Sequence, residues 1–125
     1  MKTNPGRDER FPRDHRLTTS TAFRKVFAAP LRYRGSGYLV LFRANPTGPA
    51  RLGLAIAKKC ARRAVDRARL KRIARESFRR HRDRLHGWDI VVLCVPAAPT
   101  MSNERLFASL ERAWMTIENQ TCVAS

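Results

Sequence analysis

Residues 52–85, LGLAIAKKCARRAVDRARLKRIARESFRRHRDRL, carry the sharpest change of hydrophobic pattern in the chain. The apolar run from Leu52 to Ala57 predicts a buried strand. Beyond Lys58 and Lys59 a helical period takes over, with apolar or small residues at Leu70, Ile73, Ala74, Ser77, Phe78 and His81. That is the three-and-four spacing of one helix face. At about 100° per residue, Lys71, Arg72, Arg75, Arg79 and Arg82 fall on the opposite face, with Glu76 and Asp83 at its flank.

The pattern on either side is simpler. LTTSTAFRKVFAAP predicts a helix capped by Thr19 or Ser20 and ended by Pro30, with Ala22, Phe23, Val26 and Phe27 on one face. Gly35-Ser36-Gly37 reads as a turn, and Tyr38 to Arg43 as a strand. Its alternation sets Tyr38, Val40 and Phe42 against Leu39, Leu41 and Arg43; both faces are mostly apolar, which predicts a central strand. The turn Asn45–Pro49 has a length that suits a hairpin to a strand over Arg51–Ala57. After His86-Gly87 breaks the basic helix, Trp88 to Val95 is the most apolar run of the chain and predicts another buried strand. Pro96 and Pro99 close it. Ser102 then caps a last helix with a stripe of Leu106, Phe107, Leu110, Ala113, Trp114 and Ile117.

The element order α-β-β-(β)-α-β-α predicts an α+β fold, a single-domain two-layer sandwich with one mixed central sheet. The expected organisation is a flexible basic arm over 1–16, one domain over 17–119 and a C-terminal tail over 120–125. A strand–helix–strand unit over 52–95 would ordinarily cross over right-handed.

Charge sharpens this picture. The chain of 125 residues has 26 Lys and Arg against 10 acids, a formal net charge of +16 and a pI near 11.5. A polyanionic partner follows, nucleic acid before an anionic membrane surface. Positions 58–84 alone hold 13 of the 26 cations against 3 acids, a local charge of +10. A solvated amphipathic helix is the plain reading of such a run. However, the acids needed for intrahelical pairing are mostly missing, and the row Arg67, Lys71, Arg75, Arg79 sets like charges four apart. That row costs stability unless a polyanion neutralises it, so the helix is expected to dock on nucleic acid. A membrane role is not expected: no run approaches the roughly 20 apolar residues of a spanning helix, and the basic helix lacks an interfacial anchor's Trp-rich face.

Candidate catalytic chemistry is scarce. His15, His81 and His86 have no evident acidic partner in a motif, and neither a phosphate-cradling Gly-rich loop nor a paired-carboxylate pattern is present. His81 is expected as a half-buried packing residue. Asp66, Glu76 and Asp89 are lone acids, expected to be solvated or paired to Arg; no protein ligand to a metal is assigned. Cys60, Cys94 and Cys122 show no metal-ligand spacing, and Cys94 reads as a small buried hydrophobe. With no apolar signal segment at the start, a reduced cytoplasmic location is expected.

The string GLAIAKK followed by RRAVDRARLKRIARESFR resembles the bacterial ribonuclease P protein subunit. That family shows a strand ending in two lysines, then a helix with the order Arg-Asn-Arg-x-Lys-Arg-x-x-Arg. The matching residues here are Lys58, Lys59, Arg67, Arg69, Lys71, Arg72 and Arg75, while Ala68 stands where the family has Asn. The match is specific over about 30 residues; weaker cues, such as Phe11-Pro12, extend it.

The resemblance implies a protein that binds the catalytic RNA of ribonuclease P and the 5′ leader of precursor tRNA. The RNA subunit, with magnesium, then hydrolyses the leader bond. It also implies a left-handed crossover over 52–95, and no small-molecule substrate. The expected RNA-binding residues are Lys58, Lys59, Arg62, Arg63, Arg67, Arg69, Lys71, Arg72, Arg75 and Arg79. Phe23 and Phe27 match an aromatic pair that lines the family's leader cleft, although Phe at helical spacing is by itself usually a core pattern. The alternative from another class is a structural RNA-binding protein such as a small ribosomal protein, which need not carry this ordered set. A helix-turn-helix DNA-binding protein fits less well, because a strand precedes the basic helix.

Overall fold

The structure is a computed structural model; it describes residues 31–45 and 48–124, together with Arg24, Val26 and Ala28 of the preceding segment. Four strands, β1 (Leu31–Arg34), β2 (Tyr38–Ala44), β3 (Arg51–Ala55) and β4 (Trp88–Cys94), form one sheet in the order β1-β2-β4-β3. Helix α1 (Ala64–His81) joins β3 to β4. A short 3₁₀ turn (Ala98–Thr100) leads from β4 to helix α2 (Asn103–Ala124). The expected α+β fold with a mixed sheet is what is found. The optional third strand is β1, paired antiparallel with β2 across the Gly35–Gly37 turn.

The expected hairpin between β2 and β3 does not form. β4 lies between them, antiparallel to β2 with Val40 opposite Val92, and parallel to β3 with Leu54 opposite Val92. The reason lies in β4 itself, whose residues Trp88, Ile90, Val91 and Val92 are all buried. A strand apolar on both faces gains most by taking neighbours on both edges as well. The Asn45–Pro49 turn therefore sends the chain past β4 instead of back along β2. Gly87 enters β4 at φ 91, a left-handed conformation suited to glycine, and its carbonyl accepts from the Asn45 backbone N–H at 2.6 Å.

Pleating divides the sheet as alternation predicts. Tyr38, Val40, Phe42, Ile90, Val92 and Leu52 face the two helices and form the main core with Leu70, Ile73, Phe78, Leu106, Leu110 and Trp114. Phe42 and Trp88 meet edge to face at 5.5 Å, as do Phe78 and Trp114 at 6.1 Å. Two buried polar contacts set the helices in place. The Trp114 indole N–H donates to Ser77 Oγ at 2.8 Å, and the Tyr38 hydroxyl donates to the Leu70 carbonyl at 2.9 Å. Burial pushes the Tyr38 phenol well above its usual pKa range. On the second face, Leu41 and Val91 pack with Val26, one of the helical positions before β1.

Two boundaries differ from expectation. Strand β3 stops at Ala55 rather than Ala57. Helix α2 runs on to Ala124, through residues expected to be a tail. The expected arm over 1–16 lies outside the described residues.

Cys94 is also more than an apolar filler, because it is disulfide-bonded to Cys60, 34 residues away, with 6.4 Å between their Cα atoms. The parallel β3–β4 pairing brings the turn after β3 alongside the end of β4, a proximity that only the topology supplies.

Candidate nucleic-acid interface

Helix α1 presents its two faces as its periodicity demands. Leu70, Ile73, Ala74, Ser77 and Phe78 are buried, whereas Arg72, Arg75, Arg79 and Arg80 are exposed. His81 is half-buried, its Nδ1 donating to the Ser77 carbonyl at 2.9 Å. Arg82, expected on the open face, is half-buried at the C-cap, because there the last turn bends back towards the core through the buried Leu85.

The N-terminal approach to α1 is the most cationic stretch of surface. Lys58, Lys59, Arg62 and Arg63 are all exposed, and among the described residues none has an ion-pair partner. Arg63 is the N-cap and offers no side-chain cap, so the first N–H groups of α1 keep no side-chain acceptor there. An uncapped helix start ringed by cations favours an anion through both its N–H groups and its dipole.

Two arginines of the motif have work inside the protein. Arg67 Nη1 donates to the carbonyls of Ala61 and Arg62, at 2.9 and 2.8 Å, and so holds the turn that carries the lysines. Arg69 reaches the start of α2, donating to the carbonyls of Met101 and Pro99 at 3.3 and 2.9 Å and to Asn103 Oδ1 at 2.8 Å. Arg79 and Arg80 share Glu76, at 3.2 and 3.7 Å, and Arg80 also lies over the Phe107 ring. Lys71 is half-buried. The ten expected RNA-binding cations thus separate into an outward set around Lys58, Lys59, Arg62, Arg63, Arg72 and Arg75, the half-buried Lys71, Arg79 paired to Glu76 on its own helix, and Arg67 and Arg69, which also brace the fold. Spacing on a helical wheel could not reveal the bracing, because its acceptors are carbonyls from other parts of the chain.

The second face of the sheet is a shallower surface. Leu39, Ala55 and Leu93 are half-buried there beside Leu41, Val91 and Val26. At one end of this face, Asp89 lies opposite both Arg43 and Arg51 in the strand registers. Arg51 grips it with both carboxylate oxygens engaged, at 2.9 and 2.7 Å, and the Asn45 amide adds a third bond at 3.0 Å. The hydrogen bond to Asp89 raises the Arg51 pKa further. Asp89 is 7% exposed and its oxygens are occupied, so it fits a fixed counter-charge rather than a metal ligand. Among the described residues no group of three His, Cys, Asp or Glu converges on one point. Phe23 and Phe27 lie outside the described residues, and so does any contact they make with this face.

Among the described residues, no helix is long and apolar enough to cross a membrane. The chain matches the family model for ribonuclease P over residues 11–118. The ribonuclease P protein component of Thioalkalivibrio sulfidiphilus is 50% identical over 107 residues, covering 86% of this chain and 89% of that one. Its counterpart from Chromohalobacter salexigens is 44% identical over 112 residues, covering 89% and 88%. Among solved structures, a mutant ribonuclease P protein of Staphylococcus aureus aligns with a TM-score of 0.77 at 25% identity, over 88% of this chain and 93% of that chain. The Thermotoga maritima ribonuclease P protein aligns with a TM-score of 0.70 at 28% identity, over 79% and 94%. With its fold, its basic helix and its relatives in agreement, the chain belongs to the ribonuclease P protein family.

Proposed function

We propose that this protein is the accessory subunit of a ribonuclease P ribonucleoprotein, binding the catalytic RNA and the 5′ leader of precursor tRNA so that the leader is removed by endonucleolytic hydrolysis. The observation that carries the reading is the exposed cationic set on α1 and its approach, with Lys58, Lys59, Arg62 and Arg63 in no ion pair among the described residues, in a chain of this family. Lysine and arginine there displace counterions from phosphates and lower the repulsion between RNA strands brought close together. The apolar second face of the sheet, flanked by Arg43, is the floor of the proposed leader cleft, with Phe23 and Phe27 as its aromatic wall. Stacking on aromatic rings holds unpaired bases without demanding a sequence.

Magnesium belongs to the RNA in this reading and supplies the hydrolytic chemistry there, since Asp89 and Glu76 are already engaged by arginines. The protein's own part is to bind, orient and neutralise. The reading also assigns the protein to the cytoplasm, where precursor tRNA is made.

Reconstitution with a bacterial catalytic RNA tests the proposal directly. Leader cleavage at low magnesium should rise on adding the protein, and no stimulation at any magnesium concentration would overturn the reading. Phe23→Ala or Phe27→Ala should weaken binding of precursor tRNA by about 1–3 kcal/mol and leave mature tRNA unaffected. A melting-temperature loss without that selectivity would assign the rings to the core instead.

A further inference from the structure

A second cationic site lies away from α1. The β1–β2 turn and the first half of α2 enclose an open groove of about 440 Å³, lined by Tyr33, Arg34, Ser36, Arg105, Ser109 and Arg112 among others, with no acidic side chain in its lining. The three arginines are exposed, and among the described residues their guanidinium groups make no hydrogen bond or ion pair.

The groove is held in shape by its floor. Ser109, buried, accepts from the Gly37 backbone N–H at 3.3 Å. A Cβ at Gly35 would come within 2.6 Å of Ser109 Oγ, and one at Gly37 within 2.7 Å of the Leu106 side chain. A side chain at either glycine would push Ser109 or Leu106 aside, so the glycine turn lets β1–β2 lie close against α2.

Its position separates it from the α1 surface. Trp114 and Phe107 mark the side of α2 that faces α1, through the bond to Ser77 and the contact with Arg80. At about 100° per residue, Arg105 and Arg112 lie on the opposite side of α2. Glu104, Glu111 and Glu118 follow one another at intervals of seven, about a third of a turn away from the arginines. These acids run along α2 between the groove arginines and the side that faces α1, so the groove is separate from the α1 surface.

We infer that this groove is a second docking point for the phosphodiester backbone of the catalytic RNA, so that the RNA straddles α2 instead of touching the protein on α1 alone. A cluster of guanidinium groups with no acid in the groove's lining suits phosphate, and hydroxyls from Tyr33 and Ser36 add neutral donors beside it. The catalytic RNA is the better partner than the leader, because Arg105 and Arg112 project from the helical layer and the proposed leader cleft occupies the opposite sheet face.

The inference rests on the proposed function, and one titration series distinguishes the two. Parent protein, Arg105→Gln/Arg112→Gln and Arg105→Glu/Arg112→Glu are titrated with the catalytic RNA and, separately, with precursor tRNA at several salt concentrations. Melting curves equal to the parent's establish that the variants fold, as expected for exposed positions. The neutral pair should bind the catalytic RNA about ten-fold more weakly and flatten the log–log salt slope by about 2 units, while the reversed pair should lose more. Unchanged affinity and slope, with the parent binding normally, would overturn the groove as an RNA site and leave the proposed function standing. A loss confined to precursor tRNA would overturn its assignment to the catalytic RNA. Selective retention of an acidic protein by the parent, with RNA affinity unchanged in the variants, would overturn it too. Failure of the parent itself to bind the catalytic RNA would overturn the proposed function.

Discussion

Single residues on α1 differ in what they can be asked to do. Ala68 is exposed and lies by helical angle between Arg72 and Arg75, where the family pattern has Asn. An Asn side chain can both donate and accept, bridging a phosphate or a hydrated ion to its neighbours, and Ala can do neither. Ala68→Asn should therefore strengthen binding to the catalytic RNA by about 1 kcal/mol and lower helix stability by a few tenths. Paired titrations across magnesium concentrations check this, and superimposable curves would refute it. Arg69 and Arg72 make a second contrast. Removing the Arg69 guanidinium strands the carbonyls of Met101 and Pro99 and frees the start of α2, so Arg69→Ala should cost about 1–3 kcal/mol of stability. Arg72→Ala removes an exposed cation and should lower RNA affinity with an unchanged melting temperature. If both variants melt like the parent, the bonds from Arg69 to α2 contribute nothing to the fold.

At the level of elements, the Cys60–Cys94 link ties the lysine-bearing turn to the end of β4. Closing a loop of 34 residues removes entropy from the unfolded chain equivalent to about 3–4 kcal/mol in the chain-entropy account. Reduction should lower the melting temperature without abolishing the fold, because the main core does not depend on the sulfurs. A melting curve indifferent to reductant, together with three titratable thiols in the untreated protein (Cys122 being the third) rather than one, would mean that the pair stands reduced. The elements themselves were legible to very different degrees. The buried stripe of α1 and that of α2, with Ser102 Oγ accepting from the Arg105 N–H at 3.2 Å, could be read from period and cap alone. The pairing of strands could not. Arg51–Ala55 follows β2 after a short turn, and nothing local distinguishes a hairpin from a chain that leaves room for β4. That choice depends on β4 being apolar on both faces and arriving more than thirty residues later. The same non-local pairing hides the Cys60–Cys94 proximity, the Arg51–Asp89 grip and the bracing roles of Arg67 and Arg69.

For the whole molecule, the question is how a net charge of +16 is distributed. A uniformly basic protein would bind any polyanion through a fluctuating set of contacts. Here the acids are placed with some economy: Asp89 is locked to Arg51, Glu76 to Arg79 and Arg80, and Glu104, Glu111 and Glu118 lie along α2. The approach to α1 is left with Lys58, Lys59, Arg62 and Arg63 exposed beside an uncapped helix start, continuing into Arg72 and Arg75. If about six of these cations each neutralise one phosphate, this surface should contribute about −4 to −5 to the log–log slope of affinity against salt, and the groove on α2 about −2 more. The surplus charge on the molecule is far larger than six, so the slope measures localisation rather than composition. A value near −1 would exclude the α1 surface as the main docking surface. A value much steeper than −5 would instead require contacts beyond α1. Lys58→Ala/Lys59→Ala should flatten the slope by about 2 units, a change that loss of a merely solvated charge run would not produce.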